Sequence, residues 1–344
     1  LQVSPSHPTL NSTMPAALEY TPVGGDCQDL LDRHFVTVFR HGYLRCQGTV
    51  LPVYYKQFAE AILNLEVRDD DVWVCSFPKA GTTWTQEMVW CIAKDLDFEG
   101  AQVKLPERFP FLEHTMLFDY EKVLPMLPDF CQEIPRFVRD AVGYINDLPS
   151  PRFIKSHLPF HLLPLQLQRG LTGAKIVYIA RDVKDTCLSY FHHCKLLEGY
   201  KGSFHEFATL FINDSLCFAP FWEHVLGYWK RREDPNLLFL KFQELKKDLP
   251  AVVRRTAEFL GKDLTDKQVN SLCDHLSFEK MKNNRAVNYE EVIEINKKYK
   301  FVEAEGSFMR SGQVGEAEKK FSPDWVLRFD QWAEDKLRDT GLSF

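Results

Sequence analysis

The sequence predicts a single α/β domain with a mostly parallel central sheet flanked by helices. Short apolar runs typical of buried strands occupy residues 72–77, 152–157, 175–180 and 237–242, and stretches with helical periodicity separate them. Such alternation is typical of a parallel sheet with helices on its faces. Neither an internal repeat nor a low-complexity linker divides the chain, so one domain is favoured. Ligands of such folds bind beyond the carboxyl ends of the strands.

The helices have their own start signals. Thr265 and Gln268 form a capping box ahead of an apolar run, and Ser322-Pro323 places an N-cap residue and a first-turn proline before another. A further helix is predicted to follow the first strand, from Thr83. Its apolar stripe, which we interpret as core, consists of Trp84, Met88, Cys91 and Ile92.

The composition excludes several classes of protein. The chain has 344 residues, 45% of them hydrophobic, which is enough for one large core. A net charge of −6 without a Lys/Arg-rich block argues against a nucleic-acid partner. No apolar run is long enough to span a bilayer, and no apolar signal segment opens the chain, so no membrane association is expected. Nine cysteines without a C-x-x-C pair indicate reduced thiols, a cytoplasmic location and no metal site.

Two segments stand apart from this pattern. Residues 1–25 are polar and contain proline, which predicts a flexible tail before a domain at 26–344, and Met14 is a candidate natural start. Residues 99–150 are rich in proline and aromatic side chains. A long insertion of this kind is either a lid over an apolar ligand or a surface elaboration, and the aromatic content favours an acceptor-site lid.

The segment Phe-Pro-Lys-Ala-Gly-Thr-Thr-Trp at 77–84 predicts a loop that binds an anion. Gly81 allows a tight turn, after which backbone amides and the helix dipole attract a phosphate. Lys79 adds a cation, and Thr82 and Thr83 add hydroxyl donors. The nucleotide-triphosphate pattern G-x-x-x-x-G-K-[S/T] is absent, which argues against an ordinary kinase or GTPase. The alternative is a plain strand-turn-helix with an incidental lysine.

Lys155 and His157 are two residues apart at the end of a candidate strand, so their side chains share one face. A base beside a cation suits proton abstraction next to developing negative charge. The alternative is a histidine that ends a strand beside a solvated lysine.

Two arginines are candidate phosphate ligands, because a guanidinium matches phosphate geometry. Arg181 follows the third candidate strand, and Ser189 lies two turns into the next helix. Arg310 begins a late glycine-containing loop. The alternatives are an ion pair of Arg181 with Asp182 or Asp185, and an ordinary solvated turn at Arg310.

Together these segments resemble, in order and spacing, the cytosolic sulfotransferase family. Its Y-P-K-S-G-T-T-W loop is matched at 77–84, its K-T-H-L-P at 155–159 and its R-x-x-K-D-x-x-x-S at 181–189. Its R-K-G-x-x-G is matched at 310–315, with Ser311 in place of Lys. The likeness runs from about residue 50 to the end of the chain. The long 99–150 segment is similar to the insect branch, which includes retinol dehydratase.

The resemblance implies an activity. It is the transfer of a sulfuryl group from 3′-phosphoadenosine 5′-phosphosulfate (PAPS) to a hydroxyl or amine, leaving 3′-phosphoadenosine 5′-phosphate (PAP), without a metal. The implied acceptor is a small hydrophobic alcohol, phenol, steroid or retinoid. His157 would be the general base, Lys79 would stabilise the leaving phosphate, and Lys155 would stabilise the sulfuryl oxygens. Arg181, Ser189 and Arg310 would hold the 3′-phosphate.

The resemblance also implies two sets of binding residues. The donor set comprises Lys79, Ala80, Gly81, Thr82, Thr83, Trp84, Arg181, Ser189, Phe242, Leu276, Phe278, Phe308, Met309, Arg310, Ser311 and Gly312, with Trp84 and Phe278 flanking the adenine. The acceptor set, found from the family's P-F-L-E-F at 110–114 and the helix after Ser189, comprises Phe111, His114 and His193. The two histidines occupy positions that usually hold Phe, so they either make the pocket more polar or point to solvent.

The chain departs from the family pattern at several positions. Phe242 replaces a Tyr, Leu276 a Thr, Ala317 a Trp, and Ser311 a Lys near the 3′-phosphate. Loss of one charged contact costs about 1–3 kcal/mol, which would weaken donor binding without abolishing it. The family's dimer motif K-x-x-x-T-V-x-x-x-E is not kept, so that dimer is not expected.

Three other functions are alternatives to sulfuryl transfer. One is a dehydratase that acts on an allylic alcohol through a transient sulfate ester. Another is a non-catalytic protein that binds the nucleotide or a lipophilic ligand. The third is a P-loop kinase, which the missing G-K-[S/T] and metal carboxylate disfavour.

Overall fold

The computed structural model describes residues 17–121, 125, 128–302 and 306–344. The strands, in chain order, are β1 Tyr20–Pro22, β2 Tyr43–Cys46, β3 Thr49–Pro52, β4 Val72–Cys75, β5 Phe153–Ser156, β6 Lys175–Ala180 and β7 Leu237–Lys241. The last four form a parallel sheet in the order β5-β4-β6-β7. All four strands predicted from the sequence are therefore confirmed.

Helices fill the intervals between the strands. They are α1 Gly25–His34, α2 Ala59–Leu63, α3 Thr82–Ala93, α4 Leu105–Arg108, α5 His114–Leu117, α6 Pro128–Glu133, α7 Arg136–Arg139, α8 Ala141–Asp147, α9 Leu165–Gln168, α10 Val183–Leu197, α11 Phe204–Ile212, α12 Phe221–Trp229, α13 Phe242–Lys247, α14 Leu249–Phe259, α15 Asp266–His275, α16 Phe278–Asn283, α17 Glu290–Lys298, α18 Glu316–Lys320 and α19 Pro323–Leu337. No helix in the described part of the chain combines the length and apolarity needed to cross a membrane.

The predicted helix starts are confirmed by the caps. The Thr265 hydroxyl accepts the Gln268 amide in a reciprocal capping box, and the Ser322 hydroxyl accepts the amide three residues on. The helix α3 begins at Thr82, one residue earlier than predicted, because Gly81 adopts φ 116° and turns the chain directly into it.

The parallel sheet has an apolar layer on each face. Side chains alternate along β4, so that Trp73 packs into one buried cluster and Val74 into the other. Tyr178 and Val177 of β6 alternate in the same way. Both faces are buried, which explains why these strands read as continuous apolar runs.

The amino-terminal boundary differs from the expectation. Tyr20–Pro22 is strand β1, paired antiparallel with β2 so that Tyr20 lies opposite Cys46. A tail ending at residue 25 is therefore too long, because this stretch finds backbone partners in a small sheet of the order β1-β2-β3. Residues 1–16, including the candidate start Met14, lie outside the described residues.

The aromatic segment at 99–150 folds mainly into short helices, α4 to α8, in its described part. Phe130, Phe137 and Val138 from this segment form a third buried cluster with Phe39. Phe301, which follows α17, packs on Phe130 with ring centres 4.8 Å apart. The segment is thus joined to two remote parts of the chain by a shared aromatic core.

Candidate active site

The functional loops meet at one edge of the parallel sheet. Lys79 follows β4, His157 follows β5, Arg181 follows β6 and Phe242 follows β7. In a parallel sheet these carboxyl ends lie side by side, and β5 and β6 flank β4 on its two sides. A cavity of about 720 Å³ opens at this edge and is lined by all four residues.

Nearly every residue predicted for the site lines this cavity. They are Lys79, Gly81, Thr82, Thr83, Trp84, Phe111, His114, Lys155, His157, Arg181, Ser189, His193, Phe242, Leu276, Phe278, Phe308, Met309, Arg310, Ser311 and Gly312. Ala80 is the exception, because its methyl group is buried and its amide donates to the Phe77 carbonyl at 3.4 Å. Met88, Cys91 and Ile92 of the stripe interpreted as core are buried, and Trp84 packs against the same cluster while it also lines the cavity.

The loop after β4 is tightly wound. Lys79 has φ 68° and Gly81 φ 116°, both in the left-handed region. A Cβ atom at Gly81 would lie 2.9 Å from the Phe242 ring, so only glycine fits. The hydroxyl of Thr82, the first residue of α3, bonds to the Ser76 hydroxyl at 2.6 Å. The loop and the helix start are thereby held in one fixed arrangement.

Lys79 lines the cavity together with Lys155 and Arg181. Its ammonium lies 3.6 Å above the centre of the Phe308 ring. Burial, reinforced by the charges of Lys155 and Arg181, lowers the pKa of Lys79 to about 7. A site that disfavours its own cations in this way gains free energy when an anion enters.

His157 is oriented as a base. Its Nδ1 lies 2.7 Å from the Ser76 carbonyl, which can only accept, so Nδ1 carries the proton and Nε2 the lone pair. The residue is 7% exposed, and the rings of Phe111 and Phe218 stand edge-on to its imidazole, with ring centres 5.0 and 5.6 Å away. Burial and the charge of Lys155 lower the pKa of His157 well below its ordinary value. The imidazole is therefore neutral and able to take a proton.

Glu113 is a part of this region to which the sequence reasoning gave no role. Its carboxyl group is fully buried and accepts the Ser156 hydroxyl and, at 3.2 Å, the backbone amide of His157. The Ser156 hydroxyl in turn accepts the Leu158 amide at 3.1 Å. Glu113 thus fixes the turn that presents His157. The available signal was a lone carboxylate inside the apolar stretch at 110–113.

Lys155 joins residues 110–112 to strand β5 through backbone hydrogen bonds. Its amide donates to the Pro110 carbonyl at 2.9 Å, and its own carbonyl accepts the Leu112 amide at 3.0 Å. The ammonium lies 4.1 Å from the centre of the Phe111 ring. Burial lowers the pKa of Lys155 to about 8, although Glu113 opposes the shift.

Arg181 both pairs with a carboxylate and faces the cavity. Its Nη2 is 3.5 Å from Asp185 Oδ2 and donates to the Gln313 carbonyl at 2.8 Å. The guanidinium lies 4.5 Å from the centre of the Phe242 ring. Among the described residues its buried Nε has no hydrogen-bond partner. An unpaired guanidinium nitrogen at a cavity wall is a position where a phosphate oxygen fits. Asp182, the other expected partner, caps α10 instead.

The late loop is held by a residue that sequence reasoning missed. Glu316 forms an ion pair with Arg310 and accepts the Ser311 hydroxyl at 2.5 Å. Partial burial opposes its ionisation, but Lys320, Ser311 and Arg310 together lower the pKa of Glu316 to about 2. The loop therefore presents its polar side chains already tied to a carboxylate.

An aromatic slot lies between α3 and the late loop. The Trp84 indole donates to the Leu276 carbonyl at 3.0 Å, and its ring stands 5.7 Å from Phe242 at 67°. Gly312 has φ 59°, and a Cβ atom there would lie 2.8 Å from the Phe278 ring. Flat apolar walls with close backbone approach suit a planar base.

The opposite end of the cavity is mostly aromatic. Phe111 and His114 lie there, together with Phe118, Phe130 and Phe137 of the 99–150 segment. Burial, with the charge of Lys155, lowers the pKa of His114 to about 4, so its ring is neutral. Both His114 and His193 line the cavity.

One cluster in the described part of the chain has the spacing of metal ligands. It consists of Glu87, Cys91 and His275. None of the three lines the cavity, and Glu87 is already paired with Arg108 and His275. The cysteines whose side chains are described are free thiols, most of them buried.

This fold and site define a class of transferase, and the chain belongs to the sulfotransferase family: residues 69–341 match the family model described as "Sulfotransferase domain". Over 318 residues it is 42% identical to luciferin sulfotransferase of Photinus pyralis, covering 92% of this chain and 85% of that protein. It is 30% identical to amine sulfotransferase of Oryctolagus cuniculus, with 83% and 86% coverage. The chain is thus a PAPS-dependent transferase that moves sulfuryl groups.

A solved structure supports the same assignment. The crystal structure of retinol dehydratase in complex with androsterone and the inactive cofactor PAP superposes with a TM-score of 0.87 at 32% identity, covering 96% of this chain and 99% of that chain. A second crystal structure of retinol dehydratase, with retinol and PAP, gives the same TM-score. The similarity to the insect-like branch is therefore confirmed.

Proposed function

We propose that this sulfotransferase acts on a hydroxyl, or an amine, of a small hydrophobic acceptor, with His157 as the general base. The observation that carries this proposal is the orientation of His157. Its Nδ1 is held by the Ser76 carbonyl, and Nε2 is left with a lone pair in a cavity that Lys79 and Lys155 also line. A neutral base beside two cations suits attack by a hydroxyl on an anionic group.

His157, Lys155 and Lys79 have separate roles in the proposed transfer. The oxygen of the acceptor hydroxyl forms a bond to the sulfur of PAPS, while His157 Nε2 takes the proton from that hydroxyl. The bond between the sulfur and the oxygen of the 5′-phosphate breaks. Lys155 stabilises charge on the sulfuryl oxygens. Lys79 stabilises the negative charge left on the phosphate. The proton then rests on His157 and leaves to solvent with the products.

The donor end of the cavity fits PAPS. Arg181, with its unpaired buried Nε, together with Ser189 would hold the 3′-phosphate, and Arg310 would assist. Glu316 forms an ion pair with Arg310 and so competes with the 3′-phosphate for its guanidinium. This competition, and the presence of Ser311 where the family has a lysine, predict weak binding of PAPS. Trp84 and Phe278 would flank the adenine, and the other predicted donor residues would complete the pocket. Ala80 would contribute through its position in the loop.

Lysines and backbone amides would take the place of a metal here. The transferred group carries less charge than a phosphoryl group, so positioning and fixed cations suffice. The described metal-like cluster lies away from the cavity, which fits a reaction without a metal. The cavity and the free thiols also fit a cytoplasmic enzyme of small-molecule metabolism, and we do not expect the family's usual dimer.

The acceptor is proposed to be an alcohol, phenol, steroid or retinoid. The 99–150 segment would act as the lid over it, because Phe118, Phe130 and Phe137 line the cavity while their neighbours pack on α17. Androsterone and retinol, the ligands of the two retinol dehydratase structures, are acceptor-sized apolar alcohols. Because the relatives named above include sulfotransferases, a stable sulfate ester is the proposed product, ahead of an alkene or mere binding.

A labelled-donor assay tests this function. The chain is incubated with radiolabelled PAPS and a panel of phenols, sterols and retinoids, and products are identified by mass spectrometry. His157→Ala should lower kcat by roughly 10²- to 10⁴-fold with PAP affinity retained. His205→Ala is the matched control, because that histidine is exposed and does not line the cavity. Full activity of His157→Ala would refute the proposed base, and an alkene product would refute the proposed ester.

A further inference from the structure

A line of buried polar side chains runs from the protein interior to the acceptor end of the cavity. Arg40 is 2% exposed, and its Nη1 lies 2.6 Å from Glu198 Oε2. The other oxygen of Glu198 lies 3.2 Å from His193 Nε2. Arg40 also donates to the Tyr43 hydroxyl at 2.8 Å and the Leu117 carbonyl at 3.2 Å. The guanidinium is thereby fixed, and it fixes the carboxylate.

This arrangement sets the tautomer of His193. Burial opposes ionisation of Glu198, but Arg40 and His193 outweigh it and lower the pKa of Glu198 to about 2. A carboxylate can only accept, so His193 Nε2 carries the hydrogen. Burial, with the charges of Lys79 and Lys155, lowers the pKa of His193, so the ring is neutral and Nδ1 holds a lone pair.

His193 lines the cavity and carries a ring nitrogen, Nδ1, that has no partner among the described residues. Among the described residues this buried nitrogen accepts no hydrogen bond. His193 shares one face of α10 with Ser189 and Leu197, four residues apart in each direction, and all three line the cavity. Its ring stands 6.0 Å from Phe308, the ring under the Lys79 ammonium. The ring that carries the unpaired acceptor therefore stands next to the aromatic ring that the Lys79 ammonium contacts.

We propose that His193 is a specificity-determining residue, which accepts a hydrogen bond from a second hydroxyl or N–H placed beside the hydroxyl that is sulfated. The preferred acceptors are then compounds with two neighbouring donors, and catechols are the simplest class. A buried acceptor left unpaired costs free energy that a matching donor recovers, whereas a methyl ether at the same place leaves it unpaired. This inference rests on the proposed function and names its substrate class.

Matched acceptors test it. Initial rates are measured at saturating PAPS for catechol and 2-methoxyphenol, and the ratio of their kcat/KM values is compared between wild type and variants. His193→Phe and His193→Leu are both measured, because each removes the acceptor nitrogen and the two new side chains differ in volume. An effect shared by both variants is then due to the lost nitrogen and not to side-chain size. Comparing ratios cancels the intrinsic reactivity of the two phenols. His205→Phe, at an exposed histidine outside the cavity, is the control.

The ratio should fall by roughly 3- to 10-fold in both His193 variants, the range expected for one neutral hydrogen bond, and stay unchanged in His205→Phe. A variant that sulfates 2-methoxyphenol and keeps the wild-type ratio overturns the inference while leaving the proposed function intact. A wild-type chain that binds PAP but sulfates neither phenol nor any other acceptor of the panel overturns the proposed function, and this inference with it.

Discussion

Glu113→Gln should remove a pH dependence from the stability of this protein. Glu113 is fully buried, and burial raises the pKa of its carboxyl group from 4.5 to about 7, although the Ser156 hydroxyl, the His157 amide and Lys155 favour the ionised form. Glutamine has the same shape and can still accept one of the two hydrogen bonds. It has no proton to lose, so the burial penalty on the charged form disappears.

The sign and size follow from proton linkage. Between pH 4.5 and 7 the folded chain keeps a proton on Glu113 that the unfolded chain has released. Stability contributed by this group therefore falls as pH rises, by about 1.4 kcal/mol per pH unit. From pH 5 to pH 8 the loss contributed by this group is about 2.5 kcal/mol in the wild type and absent in Glu113→Gln. The variant should gain stability relative to the wild type by this amount over the interval.

Urea unfolding at pH 5, 6, 7 and 8, followed by tryptophan fluorescence, measures the difference in the free energy of unfolding at each pH. Glu233→Gln is the control, because the Glu233 side chain is 86% exposed and its substitution should give the wild-type dependence. The reasoning would be refuted if the difference in the free energy of unfolding between Glu113→Gln and the wild type stayed constant from pH 5 to pH 8. That result would mean that burial does not raise the pKa of the Glu113 carboxyl group.

Three further predictions concern binding. Gly312→Ala should raise the KM for PAPS roughly tenfold with kcat little changed, because the added Cβ would lie 2.8 Å from the Phe278 ring. Gly315→Ala is the control: Gly315 also has a positive φ, 74°, but nothing lies within 4 Å of an added Cβ, so this variant introduces backbone strain without the clash. Arg181→Lys should weaken PAP binding in calorimetry by about 1.5–3 kcal/mol, because the ammonium cannot supply the second nitrogen of the guanidinium. Phe130→Ala should raise the KM for steroid-sized acceptors by about tenfold more than that for a simple phenol, because it opens the aromatic cluster that lines the acceptor end.

Each of these has a contrary result. Equal effects of the Gly312 and Gly315 substitutions would assign the loss to backbone conformation alone. Unchanged PAP affinity in Arg181→Lys would remove the unpaired Nε from the donor site. A uniform change in KM for all acceptors in Phe130→Ala would indicate general loosening in place of a lid over large substrates.

Much of the framework followed from local patterns. The continuous apolar run at 175–180 predicts a strand buried on both faces, and β6 occupies those residues. The caps at Thr265 and Ser322 satisfy helix amides within three residues, so their effect does not depend on distant packing. Position at the carboxyl ends of parallel strands was enough to predict that one site contains the loop at 77–84 and the residues after β5 and β6.

The sequence alone did not predict which groups the charged side chains would contact. Glu113 meets His157 from 44 positions away, and Arg40 meets Glu198 from 158 positions away. No periodicity or spacing encodes such pairs, because they form only where separate elements pack together. The tautomer of His157 depends on the Ser76 carbonyl, and that of His193 depends on Glu198, which Arg40 holds. The amino acids alone thus determined which chemical groups are present and which strands carry them, whereas packing decided which groups are charged, which are neutral and which lone pairs remain free for a substrate.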